Sequence, residues 1–391
     1  MKTEISKINL FSTYEISGSA SSWILPSGVL IFADTGAAIS EDATHADNRI
    51  EVLGRAVSAD NDGVHSEGAS TDIFVDAQGS AVGLLAGVRT MGASQSVTNY
   101  GTIDGRGVGI QNEGEAALID NKGAIGGEVG IGFKDFGGTV LNSLEGVISG
   151  TVAIQTATLD GELVKVKNLG LVTGPIAYSG EGEGRDILIN KGTVSGDVVL
   201  GGGDDVFDTR SGIFTDKAVG GAGNDTYWVA TQNVKIVEAG DADSQDVVNS
   251  TVSYRLGTGL EQLHLLGQGN LGGTGNGLAN ALYGNDGNNT LLGNAGNDRL
   301  IGGRGDDRLT GGKDTDTFVF ATGSGHDTIT DYVGNTDRID FSDMEGITGF
   351  ADMKRDHLSV INGSVIITDG ADQITLLGVD KAELVKAMFD F

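Results

Sequence analysis

Four nine-residue blocks follow one another without a gap from Gly284 to Val319, and no other feature of the chain restricts its fold as much. They open at Gly284, Gly293, Gly302 and Gly311. In each block a hexad rich in Gly, Asn and Asp precedes three residues whose middle member is large and apolar: Leu291, Leu300, Leu309 and Phe318. A three-residue strand cannot bury a face alone, so such blocks are stable only when stacked. Two blocks close one coil, which places residues 18 apart above one another. Leu291 then stacks on Leu309, Leu300 on Phe318, Asn289 over Asp307 and Asp298 over Asp316. Carboxylates stacked at strand spacing, about 4.8 Å, repel unless a cation lies between them.

Calcium is the cation this arrangement favours, because it accepts six to eight oxygens in flexible geometry from carboxylates and carbonyls alike. Magnesium wants a tighter octahedron, and without Cys or paired His the softer metals lose. Composition agrees: 54 acidic residues against 25 basic give a net charge of −29, which disfavours nucleic acid as a partner. An isolated Asp-Gly would be read as an Asx-turn at a loop corner. Tandem repetition is what turns the reading towards a metal.

The blocks resemble the RTX family, whose repeat Gly-Gly-x-Gly-x-Asp-x-U-x binds calcium in a β-roll. Further copies stand at Gly201–Phe207, Gly220–Trp228 and, more loosely, Gly323–Ile329. The resemblance implies several calcium ions. In it, an upper turn gives the carbonyls of its second and fourth residues and the Asp at its sixth; the turn below gives its first and third carbonyls and its own Asp. Carried over, one site uses Asn294, Gly296 and Asp298 with Gly311, Lys313 and Asp316. A second uses Asn285, Gly287 and Asn289 with Gly302, Arg304 and Asp307; a third joins Gly201, Gly203 and Asp205 to Gly220, Ala222 and Asp225. Asn289 replaces the consensus Asp, so the second site is expected to be weaker or to serve as the cap. The third has a 20-residue offset, which departs from strict 18-residue stacking. Asp327 and Asp331 resemble the acidic pair that closes such rolls.

A second, weaker repeat occupies residues 48–200: Asn-x-Gly-x-Ile/Val-x-Gly, with Asn at 99, 121, 142, 168 and 190, spaced 22, 21, 26 and 22 residues apart. Short β-prone pieces surround each copy, such as Val147-Ile148 and Ile187-Leu188-Ile189. A parallel β-solenoid of about 22-residue coils accommodates them, with the asparagines forming an internal ladder and the glycines permitting the corner. Antiparallel hairpins with Asn/Gly turns are the alternative, but hairpin sandwiches space their turns more closely. The expected fold is therefore all-β: a parallel solenoid followed by an RTX β-roll, with a short C-terminal helix as cap. Expected boundaries are a cap over 1–47, the solenoid over 48–200, and the roll over 201–341 with a spacer at 229–283. Residues 342–391 make a C-terminal cap.

The first residues lack the unbroken apolar stretch of a secretory signal, and no 18-residue apolar run exists to span a membrane as a helix. From Asp337 to Phe391 the chain resembles the uncleaved C-terminal signal of type I secretion substrates. Asp380 and Glu383 form a near-capping box ahead of the apolar Leu384, Val385, Met388 and Phe389. The resemblance implies the type I secretion machinery as a partner and a secreted or cell-surface location in a Gram-negative bacterium. Neither His-Glu-x-x-His nor Gly-x-Ser-x-Gly occurs, which disfavours metalloproteases and lipases. The expected role is a calcium-binding structural or adhesive protein that folds after export and contacts itself, a cell surface or polysaccharide. The alternative is a β-helical polysaccharide lyase or epimerase, for which His65, Tyr100, Lys134, Asp135 and Tyr178 are the candidate acid–base residues.

Overall fold

The computed structural model describes residues 2–4, 13–19, 21–238 and 244–391, in two compact units, Met1–Gly223 and Asn224–Phe391. Residues 1, 5–12 and 20 of the expected cap and 239–243 of the expected spacer lie outside the described residues.

The first unit is a parallel β-solenoid. Ser96–Asn99, Ala117–Asn121, Gly138–Asn142, Leu163–Asn168 and Arg185–Asn190 pair in parallel, and the register sets each repeat asparagine beside the next. Alternation along these strands points one residue in two inward. The resulting core column runs Ile50, Ile73, Val97, Ile119, Val140, Val166, Leu188, Phe207, each in register with the next. None is more than 2% exposed, so each contributes roughly 1.5–3 kcal/mol of burial. The long interval between Asn142 and Asn168 leaves the register intact, because the turn at Leu159, Asp160 and Gly161 is exposed and carries the surplus.

The asparagines form the expected ladder. Nδ2 of Asn99 donates to Oδ1 of Asn121 at 2.9 Å, Asn121 to Asn142 at 2.8 Å, Asn142 to Asn168 at 2.8 Å and Asn168 to Asn190 at 3.0 Å. Asn190 ends the series on the Thr209 hydroxyl at 3.3 Å. Each Nδ2 also donates to a backbone carbonyl, from Ala124 for Asn99 to Ile213 for Asn190, so these buried amides are satisfied. Glycine follows two places later because the corners stack tightly: a Cβ on Gly123 would lie 2.2 Å from the Gly101 carbonyl oxygen.

Each coil from Ser22 to Thr158 carries three short strands. In the next two coils the second and third strands merge into the ten-residue strands Leu171–Gly180 and Thr193–Gly202. The coil thereby becomes two-sided within the first unit.

The second unit is two-sided throughout. One parallel sheet contains Val247–Ser250, Gln262–Leu265, Ala281–Tyr283, Arg299–Ile301, Thr317–Ala321 and Arg338–Asp343. The facing sheet contains Tyr254–Arg255, Gly272–Thr274, Thr290–Ala295, Arg308–Lys313, His326–Ile329 and Asp372–Leu376, then turns antiparallel through Ser364–Asp369 and Leu358–Ile361. Leu291 pairs with Leu309 and Leu300 with Phe318, as the 18-residue spacing requires, and all four are fully buried. Residues 262–283, read from sequence as spacer, pair in this same stack. Gly273 lies beside Leu291 and Leu282 beside Leu300.

The C-terminal helix expected from Asp380 onward is two short helical turns, Lys381–Glu383 and Lys386–Met388. Asp380 does cap the first, accepting from the Ala382 N–H at 2.8 Å. Phe389–Asp390 then adds a strand to Arg338–Asp343, and Arg338 grips Asp390 with its guanidinium at 2.7 Å. Phe389 sits among Phe341, Phe350 and Phe391 with ring centroids 5.5–6.1 Å apart, so the tail covers the end of the core.

Candidate metal centre

The glycines of each hexad bend the chain into a turn that few other residues can follow. Positive φ falls on the second and fourth residues of successive turns: Asn294 and Gly296, Gly303 and Gly305, Gly312 and Asp314. This alternation turns carbonyls towards the interior of the stack. It also brings turns so close that a Cβ on Gly312 would lie 2.0 Å from the Asn294 carbonyl oxygen.

The sixth residues form two columns along the edges of the roll. In one, the N–H of Asn289 donates to Asp307 Oδ1 at 2.7 Å, and that of Asp307 to Asp327 Oδ1 at 2.9 Å. In the other, Asn280 donates to Asp298 at 2.8 Å, Asp298 to Asp316 at 3.0 Å and Asp316 to Asp337 at 3.2 Å. One oxygen of each carboxylate is thus held by the preceding coil. The other oxygens of Asp298 and Asp307 are buried with no hydrogen-bond partner. They lean over the first glycine of their own turn, where a Cβ would lie 2.2 Å from Asp298 Oδ2 on Gly293 and 2.2 Å from Asp307 Oδ2 on Gly302. The Gly311 carbonyl oxygen is 2.6 Å from that same point on Gly293. Carboxylate and carbonyl therefore face each other across a space kept free of side chains. A hard cation fits such a donor set.

Burial also raises the affinity of these carboxylates for protons. Asp298 and Asp327 are pushed from 3.8 up to about 7, and Asp307 and Asp316 up to about 6. Loss of hydration is the main cause; Asp316 and Asp314 add repulsion at Asp298, and Asp337, Asp331 and Asp314 add it at Asp316. A cation between the turns would reverse both effects.

Of the first predicted site, Asp298 and the Gly311 carbonyl lie on either side of that space, and Asp316 stands on the turn below. The second is not equivalent. Asn289 Oδ1 accepts from Asn285 N–H at 2.7 Å, and its Nδ2 donates to Asn285 Oδ1 at 3.1 Å. Asn285 in turn donates to the Leu266 and Gly269 carbonyls, so the 284–289 turn is satisfied by its own amides. Neither Asn285 nor Gly287 has positive φ, unlike their counterparts Gly303 and Gly305 below. Arg304, the predicted third-position carbonyl of that site, stands on the turn between Gly303 and Gly305. Lys313 holds the equivalent place beside Gly311 and pairs in register with Ala295.

The third predicted site divides between the two units. In the first unit, Gly201 pairs with Gly221 and Gly202 with Ala222, so the 20-residue offset still stacks; Gly220 lies on the same strand. Gly201 and Gly203 have φ of 106° and 107°, the geometry of the tandem turns. Asp205 Oδ1 accepts from the Asp186 N–H at 2.7 Å. In the second unit, Asp225 N–H donates to Asp246 Oδ1 at 2.7 Å, and Asp246 N–H to Glu261 Oε2 at 2.9 Å. Carboxylate oxygens of Asp225, Glu238 and Asp246 lie within 4.8 Å of one another, all three buried, and the Tyr227 hydroxyl donates to Glu238. Asp331 binds backbone directly, accepting from Gly311 at 3.0 Å and Gly312 at 2.9 Å, which closes the last tandem turn.

Sequence reasoning missed four acidic residues in these columns. Asp337 completes one column, and Asp372 accepts from Gly323 and Gly325, closing the other edge. Glu238 and Asp246 lie in what read as spacer. A fifth residue, Asp186, is 1% exposed in the first unit with Oδ1 unpartnered and its pKa raised to about 6 by burial. Its signal was present: Gly182-x-Gly184-x-Asp186-x-Leu188 has the nonapeptide spacing, hidden by Glu181 in the first place.

The candidate acid–base residues of the alternative reading do not form a constellation. His65 is held by Asp62 at 2.9 Å, Tyr100 accepts from Lys122 at 3.0 Å, Tyr178 is buried in the core, and Lys134 and Asp135 end the strand Val129–Asp135.

Residues 283–318 match the family model of the RTX calcium-binding nonapeptide repeat, in four copies. No curated protein matches the chain. Among solved structures, the extracellular lipase LipA from Serratia marcescens is similar at 16% identity and a TM-score of 0.29, over 67% of this chain. The chain spans 40% of the length of that structure. Its four tandem blocks, their register and their family match together make this chain an RTX-repeat protein.

Proposed function

We propose that this is an exported calcium-binding protein of structural or adhesive role, whose second unit folds when calcium enters the nonapeptide turns. The observation that carries the reading is the pair of buried carboxylate oxygens, on Asp298 and Asp307, left without partners above glycines that leave them room. Metal-free, these turns concentrate negative charge where water cannot solvate it; calcium supplies the missing partner and its binding energy becomes folding energy. Asp298, Asp316 and Gly311 make the principal site, with Asn294, Gly296 and Lys313 giving further carbonyls. Asp307 and Asp327 make another, and Asn289 caps it. Gly201, Gly203, Asp205, Gly220 and Ala222 in the first unit, and Asp225 in the second, are assigned to calcium by their resemblance to the repeat.

Folding that waits for calcium suits passage through a type I secretion channel as an unfolded chain, with residues 342–391 as the signal. Partners outside the cell are then a surface, a polysaccharide or further copies of the chain. Far-UV circular dichroism of chelated protein titrated with millimolar calcium tests the first part; an unchanged spectrum and melting curve would sink it. Export of a chain truncated before residue 342, measured in culture supernatant, tests the second. Undiminished export of the truncated chain removes the secretion signal from the proposal.

A further inference from the structure

The chain has about twice as many acidic as basic side chains, and its larger clefts follow suit. Those around Asp286 and Asp327, Asp160 and Glu183, Glu145, and Glu115 and Glu162 all include carboxylates. One cleft in the second unit departs from this pattern. It has a volume of about 510 Å³, and no carboxylate lines it. Lys235 and Arg255 stand on its walls, both exposed, and neither has an ion-pair partner among the described residues. Asn233, Ser253 and Thr274 supply an amide and two hydroxyls between them.

The local fold keeps these groups apart and pointing outward. Tyr254 turns inward and donates its hydroxyl to the Val234 carbonyl at 2.9 Å, tying the strand of Arg255 to the segment that carries Asn233 and Lys235. Ser253 Oγ accepts from the Gly272 N–H at 2.8 Å, which leaves its own hydrogen free to donate. Gly257 and Gly272 contribute backbone alone, so the floor is open. Arg255 presents a planar fork suited to a carboxylate, and Lys235 a compact charge. The remaining groups suit hydroxyls rather than apolar surface.

We infer that this cleft binds an acidic saccharide, with the carboxylate of a uronate residue on Arg255 and Lys235 and ring hydroxyls on Asn233, Ser253 and Thr274. A cleft of this volume is within the usual range for ligand sites. In a protein of net charge −29, a basic cleft of this kind concentrates an anion that the rest of the surface repels.

The test is isothermal titration calorimetry on the full chain in saturating calcium, its fold checked by circular dichroism. The probes are tetragalacturonate, neutral maltotetraose and inorganic phosphate. Tetragalacturonate is expected to bind, maltotetraose to bind at least tenfold more weakly, and Arg255→Ala and Lys235→Ala each to lose at least tenfold. Arg106→Ala, an exposed base in the first unit, should change nothing. No binding of tetragalacturonate overturns the inference, as does equal loss in Arg106→Ala or phosphate binding as tightly as the saccharide. Should Arg255→Ala misfold, Lys235→Glu alone decides. Because calcium is saturating throughout, a chain that binds the saccharide yet folds without calcium would refute the folding proposal and leave this one standing.

Discussion

Replacing Asp298 with Asn separates two effects that most substitutions confound. In the calcium-free fold the ionised carboxylate is disfavoured by burial and by Asp316 and Asp314, which raise its pKa from 3.8 to about 7. At 1.36 kcal/mol per unit, that rise corresponds to about 4 kcal/mol against the charged form. Asn keeps the oxygen that accepts from Asn280 N–H but carries an amide that needs a partner, so the expected net gain is about 1–2 kcal/mol. Asn289 and Asn280 already occupy equivalent places, so the turn tolerates the amide. In calcium the sign reverses, because a charged ligand is lost; a tenfold weaker site forfeits about 1.4 kcal/mol of linked stability. Urea denaturation followed by circular dichroism at pH 7.5 should therefore show Asp298→Asn more stable than the parent in chelator and less stable in millimolar calcium. Equal destabilisation in both conditions would refute the reasoning, since it would mean that Asp298 is an ordinary structural hydrogen-bond acceptor.

Three further outcomes follow from the same structure. The raised values of Asp298, Asp307, Asp316 and Asp327 mean that calcium-depleted second unit is most stable below pH 4 as far as these groups are concerned, and loses that contribution as pH rises through about 6 to 7; urea midpoints at pH 5 and 7.5 should fall in that order, and a flat profile counts against buried charge. Asn142→Leu leaves Asn121 and Asn168 each short of one ladder partner and should cost about 2–4 kcal/mol with or without calcium; a calcium-dependent loss would contradict a metal-free ladder. Gly312→Ala combines a φ of 113° with a Cβ 2.0 Å from a carbonyl, whereas Gly363→Ala faces only its φ of 78° in open space. The first should cost more than about 3 kcal/mol and the second about 1 kcal/mol in thermal melts, and equal costs would show that the turns are not packed against each other.

The roll was legible because its signal is periodic in both chemistry and geometry: a glycine, a sixth-place Asp or Asn and an eighth-place apolar residue repeat without interruption from residue 284. The asparagine ladder was legible for a similar reason, since one residue type at a near-constant interval implies one position in a coil. What stayed hidden had lost one member of the pattern. Residues 266–283 stack like the tandem blocks, but their turns use Leu271 and Asn280 where Asp is expected, so the acid that marks the repeat is missing. Asp186 lacks the opening glycine. Glu238 and Asp372 reach their places through tertiary contacts at irregular separations, which no local spacing encodes. The C-terminal segment read as helix from its cap and apolar stripe, yet Phe389 gains more by joining a sheet edge among other phenylalanines than by extending a turn.

The ladder also says something about how such a chain can change over generations. Every amide in it donates towards the next coil, and each from Asn121 onward accepts from the previous one, so the series runs in one direction from Asn99 to Thr209. A duplicated coil bearing its own asparagine would enter such a column with every donor matched, whereas a coil lacking one would break it at two points. Gain and loss of length are thereby channelled into whole coils or into the exposed corner at Leu159–Gly161, where extra residues have already been absorbed without disturbing the register on either side. The number of coils is then a quantity that inheritance can adjust, while the width of each is fixed.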